Sequence, residues 1–194
     1  MVPQLTLVVV GADASDFAGF EYGAEAGTVQ VVKVANVYRS SQAAIGNRHI
    51  QASESPVFGL CHADCSFGPG ALAEFTRVAL EGQVCGIVGI DRHRNYRWAK
   101  DVNEITPIST LDSCSVFFRR DSGLRFDDAI FDGLHCHVED LCLQAQAKGI
   151  TVSVPKAQAS HAGQSTFNPA WRAEYEIYRT RLAEKWHGVR FETT

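Results

Sequence analysis

The sequence predicts a single α/β domain: a mostly parallel central sheet with helices over its faces. Three observations predict it. Strand-type and helix-type hydrophobic periods alternate along the chain, which is the pattern of strands joined by covering helices. The 194 residues are enough for one substantial core. No internal repeat, low-complexity tract or linker divides them.

The elements follow in order. Residues 5–11 and 28–34 are rich in β-branched residues and read as strands. Ser40 to Ala52 reads as a helix capped by Ser40 or Ser41. The apolar run Pro56 to Cys61 reads as a central strand ending at His62, and Pro69 opens a helix that runs to Leu80 and closes at Gly82. Val84 to Gly89 is the next strand, followed by another near Ser113 to Phe118. A helix from about Val138 to Lys148 stops at Gly149, a residue suited to a left-handed cap. Ile150 to Pro155 alternates as a strand. The last helix has Asn168 as cap, Pro169 at its first position and Gly188 beyond its end. Its stripe of Trp171, Tyr175, Tyr178, Leu182 and Trp186 has helical spacing and predicts packing against the body of the domain, in preference to a platform for sugar stacking.

Composition narrows the function classes. A net charge of −4 lacks the basic face that phosphate neutralisation demands, so nucleic acid is not an expected partner. The short basic clusters, Arg92 to Arg97 and Arg119-Arg120, suit a phosphorylated small molecule instead. No apolar run reaches the ~20 residues of a membrane span, and the first strand lacks the flanks of a signal peptide, so the expected location is cytoplasmic. The six cysteines are expected as small buried hydrophobes. A structural zinc site on Cys61-His62-Ala63-Asp64-Cys65, with His135, Cys136 and His137 as partners, is the competing reading, but the C-x3-C spacing has no matching second knuckle. The zinc deaminase pattern also lacks its second half.

Ligands of open α/β sheets bind outside the carboxyl ends of the strands. The polar residues expected there are His62 and Asp64 after one strand, Asp112 before another, Glu139 and Asp140 opening a helix, and His161 after the last strand. Each has a plainer explanation. An acidic pair complements a helix N-terminus, Asp64 suits a turn, and His161 sits in a polar loop.

Taken together and in order, these residues resemble the family 2-like glycosyltransferases. The resemblance rests on Asn47-Arg48-His49-Ile50-Gln51-Ala52 leading to His62-Ala63-Asp64-Cys65, on Leu124-Arg125-Phe126-Asp127, on Val138-Glu139-Asp140-Leu141-Cys142-Leu143 before Lys148-Gly149, and on His161 and Ser165. It covers residues 43 to 166 and is nearest to a small subgroup with histidine first in the Asp-x-Asp metal motif. It implies the GT-A fold and transfer of a sugar, with inversion, from a nucleotide-diphospho-sugar to an acceptor hydroxyl on a glycan or small molecule. It also implies Asp64 and His161 as ligands of a divalent metal, Mn²⁺ or Mg²⁺, and Asp140 as general base with Glu139 supporting it. Gly11, Asp13, Asn36, Asn47, His62 and Asp112 are the expected contacts to the nucleotide-sugar. Residues 1–110 would then be the nucleotide-sugar half, 111–167 the acceptor and catalytic half, and 168–188 the C-terminal helix. Little lies beyond that core to bind an acceptor, which implies a partner or a homo-oligomer.

Two departures keep a second reading open. His62 replaces the first aspartate, and Asn36-Val37-Tyr38 replaces the acidic loop usual after the second strand. The alternative is a catalytically degenerate domain of the same fold that binds nucleotide or scaffolds. A nucleotidyltransferase would want a glycine-rich basic loop after the first strand, which residues 11–16 do not supply.

Overall fold

The computed structural model describes residues 2–20, 22, 28–37, 39–163 and 169–193. The chain begins with β1 (Leu5–Gly11), β2 (Val29–Ala35), α1 (Gln42–Ala52), β3 (Val57–His62), β4 (Cys65–Phe67) and α2 (Ala71–Leu80). It continues through β5 (Val84–Cys85), β6 (Val88–Ile90), β7 (Tyr96–Trp98), β8 (Thr106–Pro107), β9 (Thr110–Leu111) and β10 (Ser115–Arg119). It closes with α3 (His137–Ala147), β11 (Val152–Val154), β12 (Ala159–His161) and α4 (Pro169–Lys185).

Seven strands form the central sheet in the order β2-β1-β3-β10-β5-β11-β8. β1 is parallel to both β2 and β3, and β11 is parallel to β5. β10 runs antiparallel between β3 and β5, and β8 antiparallel at the edge, so five of the seven strands share one direction. β1 reads Leu-Thr-Leu-Val-Val-Val-Gly and is buried throughout, as a strand covered on both faces must be. β2, at the edge, mixes half-buried and exposed positions and has no fully buried one.

One aromatic cluster holds α2 to the sheet. Phe75 stacks on Phe117 at 4.7 Å, and Phe67 meets both rings edge-on at about 6.0 Å. Gly59 of β3 makes room for it: a Cβ there would lie 2.8 Å from the Phe117 ring.

Local signals end the helices where the sequence predicts. Ser41 caps α1, its hydroxyl accepting from Ala44 N at 3.2 Å, a contact worth about 1 kcal/mol. Gly149 closes α3 with a positive φ of 73°, a region glycine enters at little cost. The expected cap Asn168 and the motif residue Ser165 lie outside the described residues.

The strand expected over residues 84–89 is divided. Gly86 packs so close to β10 that a Cβ would stand 2.6 Å from the Ser115 carbonyl oxygen, and Ile87 N donates to Ser115 Oγ at 2.8 Å rather than to a strand ladder. The chain therefore leaves the central sheet at β5 and re-enters as β6 in a small sheet of order β7-β6-β9.

α4 packs as its stripe predicts. Tyr178 and Leu182 are buried with Phe131, Cys136 and Leu143, and Tyr175 and Trp186 pack against them.

Candidate metal centre and its rim

Parallel β1 and β3 end side by side, with Val10 opposite His62, so their carboxyl ends open on one rim. The chain turns immediately at Ala63-Asp64 into β4, which pairs antiparallel with β12 in the register His161 opposite Cys65. That ribbon, which sequence periodicity did not reveal, brings His161 back to Asp64. The ring Nε2 lies 3.2 Å from Asp64 Oδ1, and Ala162 N donates to the Asp64 carbonyl at 3.1 Å. The turn before β10 contributes from the other side, where His62 N donates to the Cys114 carbonyl at 2.9 Å. Four separated segments of chain therefore meet at one place.

Ligand atoms of His62, Asp64 and His161 all lie within 4.8 Å of one another. His62 is steadied by Gln42 of α1, 3.2 Å from its Nε2, and its ring sits 5.6 Å from that of His161. Two imidazoles and one carboxylate form a mixed N/O set, which suits a divalent ion that tolerates nitrogen, Mn²⁺ ahead of Mg²⁺.

The ionisable groups hold one another. Burial, helped by the neighbouring His161 charge, keeps the His62 ring below its ordinary range and hence neutral. Burial pulls the Asp64 carboxyl upward, but the hydrogen bond and charge of His161 outweigh it and hold it below its usual value. Burial likewise opposes charge on His161, yet Asp64 and Cys114 overcome it and push the ring up to about 10.

The His161–Asp64 pair supports the fold fully between the ordinary aspartate value of about 3.9 and the unfolded histidine value of about 6.5, loses that support as pH rises through about 10, and loses it in acid as Asp64 takes up its proton. A cation needs the neutral ring, so it must displace the proton. Cation uptake is expected to release a proton at pH 7, with apparent affinity rising about tenfold per pH unit. Unbuffered titrations at pH 7 and 8 that register neither proton release nor tighter binding would show that His161 is not a ligand.

Glu139 and Asp140 are both buried but face different ways. Glu139 Oε2 accepts from Ser113 Oγ at 2.7 Å and so links α3 to the rim. Asp140 is fully buried and turns toward α4. Its Oδ1 accepts from Trp186 Nε1 and Lys185 Nζ, each at 2.8 Å, and its Oδ2 accepts from Gln144 Nε2 at 2.7 Å.

The expected nucleotide contacts divide in the same manner. Gly11 ends β1 beside Ala63, and Asp13 is exposed, capping the short 3-10 turn that follows through Ser15 N at 2.7 Å. Asp112 stands on the rim, its Oδ1 accepting from Cys114 N at 2.8 Å. Asn36 exchanges two hydrogen bonds of 2.7 Å with the Ser40 backbone. Asn47 holds the backbone of Phe126 at both ends, at 2.8 and 3.1 Å. Both amides are thus engaged in closing loops.

The two-cysteine zinc arrangement is not formed among the described residues. Cys136 is buried in the α4 cluster with Phe131 and Leu182. His137 is fully buried against Phe126, where burial pushes its ring down to about 3. The thiol that does reach the rim is Cys114, whose sequence context, inside an apolar strand, gave no sign of it.

No protein-family model and no curated protein sequence matches the chain. Among solved structures, that of GalNAc-T7 with UDP, GalNAc and Mn²⁺ superposes with a TM-score of 0.61 at 8% identity, over 96% of this chain and 48% of that one. TarS of S. aureus (1–349) superposes with a TM-score of 0.47 at 12% identity, over 78% and 58%. The likeness to GalNAc-T7 shows that this chain has the GT-A fold. The chain spans about half the length of that structure.

Proposed function

We propose that the chain is a glycosyltransferase, moving a sugar from a nucleotide-diphospho-sugar to an acceptor hydroxyl with the help of a divalent metal. The observation that carries the reading is the convergence of His62, Asp64 and His161 at the carboxyl ends of β1 and β3, on a fold shared with a protein whose structure contains UDP and Mn²⁺.

In this reading Asp64 and His161, with His62 beside them, hold the ion. The ion, when bound, stabilises negative charge on the departing diphosphate. Gly11, Asp13 and Asp112 line the rim where the nucleotide and sugar would lie. The acceptor hydroxyl attacks the anomeric carbon from the face opposite the diphosphate. The new carbon–oxygen bond forms as the bond to the diphosphate oxygen breaks, and the configuration inverts. Asp140 takes the hydroxyl proton, and for that it must exchange one of its three partners for the acceptor. Glu139, tied to Ser113, shapes the field around it. The acceptor is a glycan or small molecule, met with the aid of a partner or a second copy of the chain. Among the described residues no helix is long and apolar enough to cross a membrane.

A degenerate, nucleotide-binding domain is the second reading. It is favoured by the occupied oxygens of Asp140 and by the engaged amides of Asn36 and Asn47. A thermal-shift screen of UDP, GDP, CDP and dTDP, with Mn²⁺ and with chelator, tests the site. One nucleotide is expected to stabilise the protein in a metal-dependent way. Silence from all four would remove the transferase reading. Binding with no sugar-nucleotide turnover, unchanged by Asp140→Asn, would favour the degenerate one.

A further inference from the structure

We propose that Asp112, Cys114 and His161 form an inner seat for a thiophilic divalent cation of the Zn²⁺ class, adjoining the His62–Asp64–His161 set. The seat goes beyond the transferase reading and does not depend on sugar transfer.

The three side chains offer one carboxylate oxygen, one thiol sulfur and one imidazole nitrogen, all within 4.8 Å of one another. Three protein ligands of mixed O, S and N type, with a fourth place open, are the pattern of zinc sites that admit an outside ligand. Hard Mg²⁺ and Mn²⁺ prefer oxygen, whereas a thiolate selects zinc and its softer relatives. Sulfur therefore sets this trio apart from the N/O set next to it.

The frame is built before any ion arrives. Asp112 Oδ1 accepts from Cys114 N at 2.8 Å, which fixes the carboxylate against the residue that carries the thiol. The carbonyl of Cys114 takes His62 N at 2.9 Å and Cys65 Sγ at 3.4 Å, so the backbone under the thiol is held from two sides. His161 arrives on β12, positioned by its pairing with Cys65. The Cys114 thiol meets His161, the Cys65 thiol and, at 3.8 Å, Ser115 Oγ, weak partners that an ion would readily replace. His161 belongs to both sets, so the two seats adjoin on one rim.

Co²⁺, a coloured stand-in for zinc, distinguishes the donors. Titrated into the wild type, it is expected to give a near-ultraviolet sulfur-to-cobalt charge-transfer band. Cys114→Ser is expected to abolish the band, and Asp64→Asn to retain it. Cobalt bands in the visible alone, no cobalt binding, or a charge-transfer band that survives Cys114→Ser would each overturn the proposal. Zinc K-edge absorption on the wild type needs no variant: one sulfur neighbour supports the seat, and a shell of nitrogen and oxygen alone removes it. Failure here is separable from failure of the proposed function. A sulfur-ligated ion with no nucleotide response sinks the transferase and leaves the seat, while a Mn²⁺-dependent nucleotide response with no sulfur ligand does the reverse.

Discussion

Asp64→Ala is expected to abolish the metal-dependent thermal shift given by the nucleotide that binds the wild type. A ligand present at a hundredfold excess over its Kd stabilises the native state by about 2.7 kcal/mol. In a domain of this size that is a rise in Tm of about 5–10 °C. Asp64 supplies the carboxylate of the outer set, and without it only the two imidazoles of His62 and His161 remain. The side chain is 43% exposed, so losing its ion pair with His161 is expected to cost no more than about 1 kcal/mol in chelator, and the variant is expected to fold. That control makes the experiment decisive. A variant that folds and keeps the full Mn²⁺-dependent shift would place the metal elsewhere on the chain.

Asp140→Ala is expected to cost about 3 kcal/mol of stability, read as a fall in Tm of about 6–12 °C. Breaking a buried ion pair by removing one partner typically costs about 3–5 kcal/mol, because the other charge is left uncompensated. Lys185 retains Asp127 at 2.8 Å, which moves the figure to the lower end of that range. Trp186 Nε1 and Gln144 Nε2 would also lose their acceptor. Asp140→Asn keeps an oxygen for Trp186 and loses only the charge, so it is expected to cost about half as much. Chemical denaturation of both variants checks this, and a loss below about 1 kcal/mol for Asp140→Ala would mean that the carboxylate does not anchor α4. Since Asp140 is also the proposed base, activity assays on these variants need temperatures well below their transitions.

Local features were legible in the sequence and long-range ones were not. The Ser41 cap, the Gly149 stop and the buried run of β1 each depend on neighbours within a few positions, and each lies where periodicity put it. The break between β5 and β6 depends on the closeness of Gly86 to Ser115, nearly thirty residues away, and no window of sequence reports that. The ribbon of β4 and β12 is three residues wide on each side, too short for alternation to register, yet it decides where His161 stands. At the candidate site, the sequence order named the histidines and the carboxylate that the structure brings together, but it carried no sign that the amides of Asn36 and Asn47 hold backbone. Asn36 and Asn47 have the right chemistry for a ligand, but each amide is taken up by the backbone of another residue, Ser40 and Phe126. Cys114 was overlooked for the opposite reason: inside an apolar strand a thiol looks like one more small hydrophobe.

The clamp on Asp140 also has a temporal side. Its partners Lys185 and Trp186, at the end of α4 and just beyond it, lie about 46 positions downstream. At a translation rate of roughly 5–20 residues per second, Asp140 leaves the ribosome about 2 to 9 s before Trp186 does. During that interval a nascent chain that had already packed α3 would enclose a carboxylate lacking its cationic neighbour. Water must therefore stay at Asp140 until α4 emerges, and the docking of that helix becomes the step that seals this side of the domain.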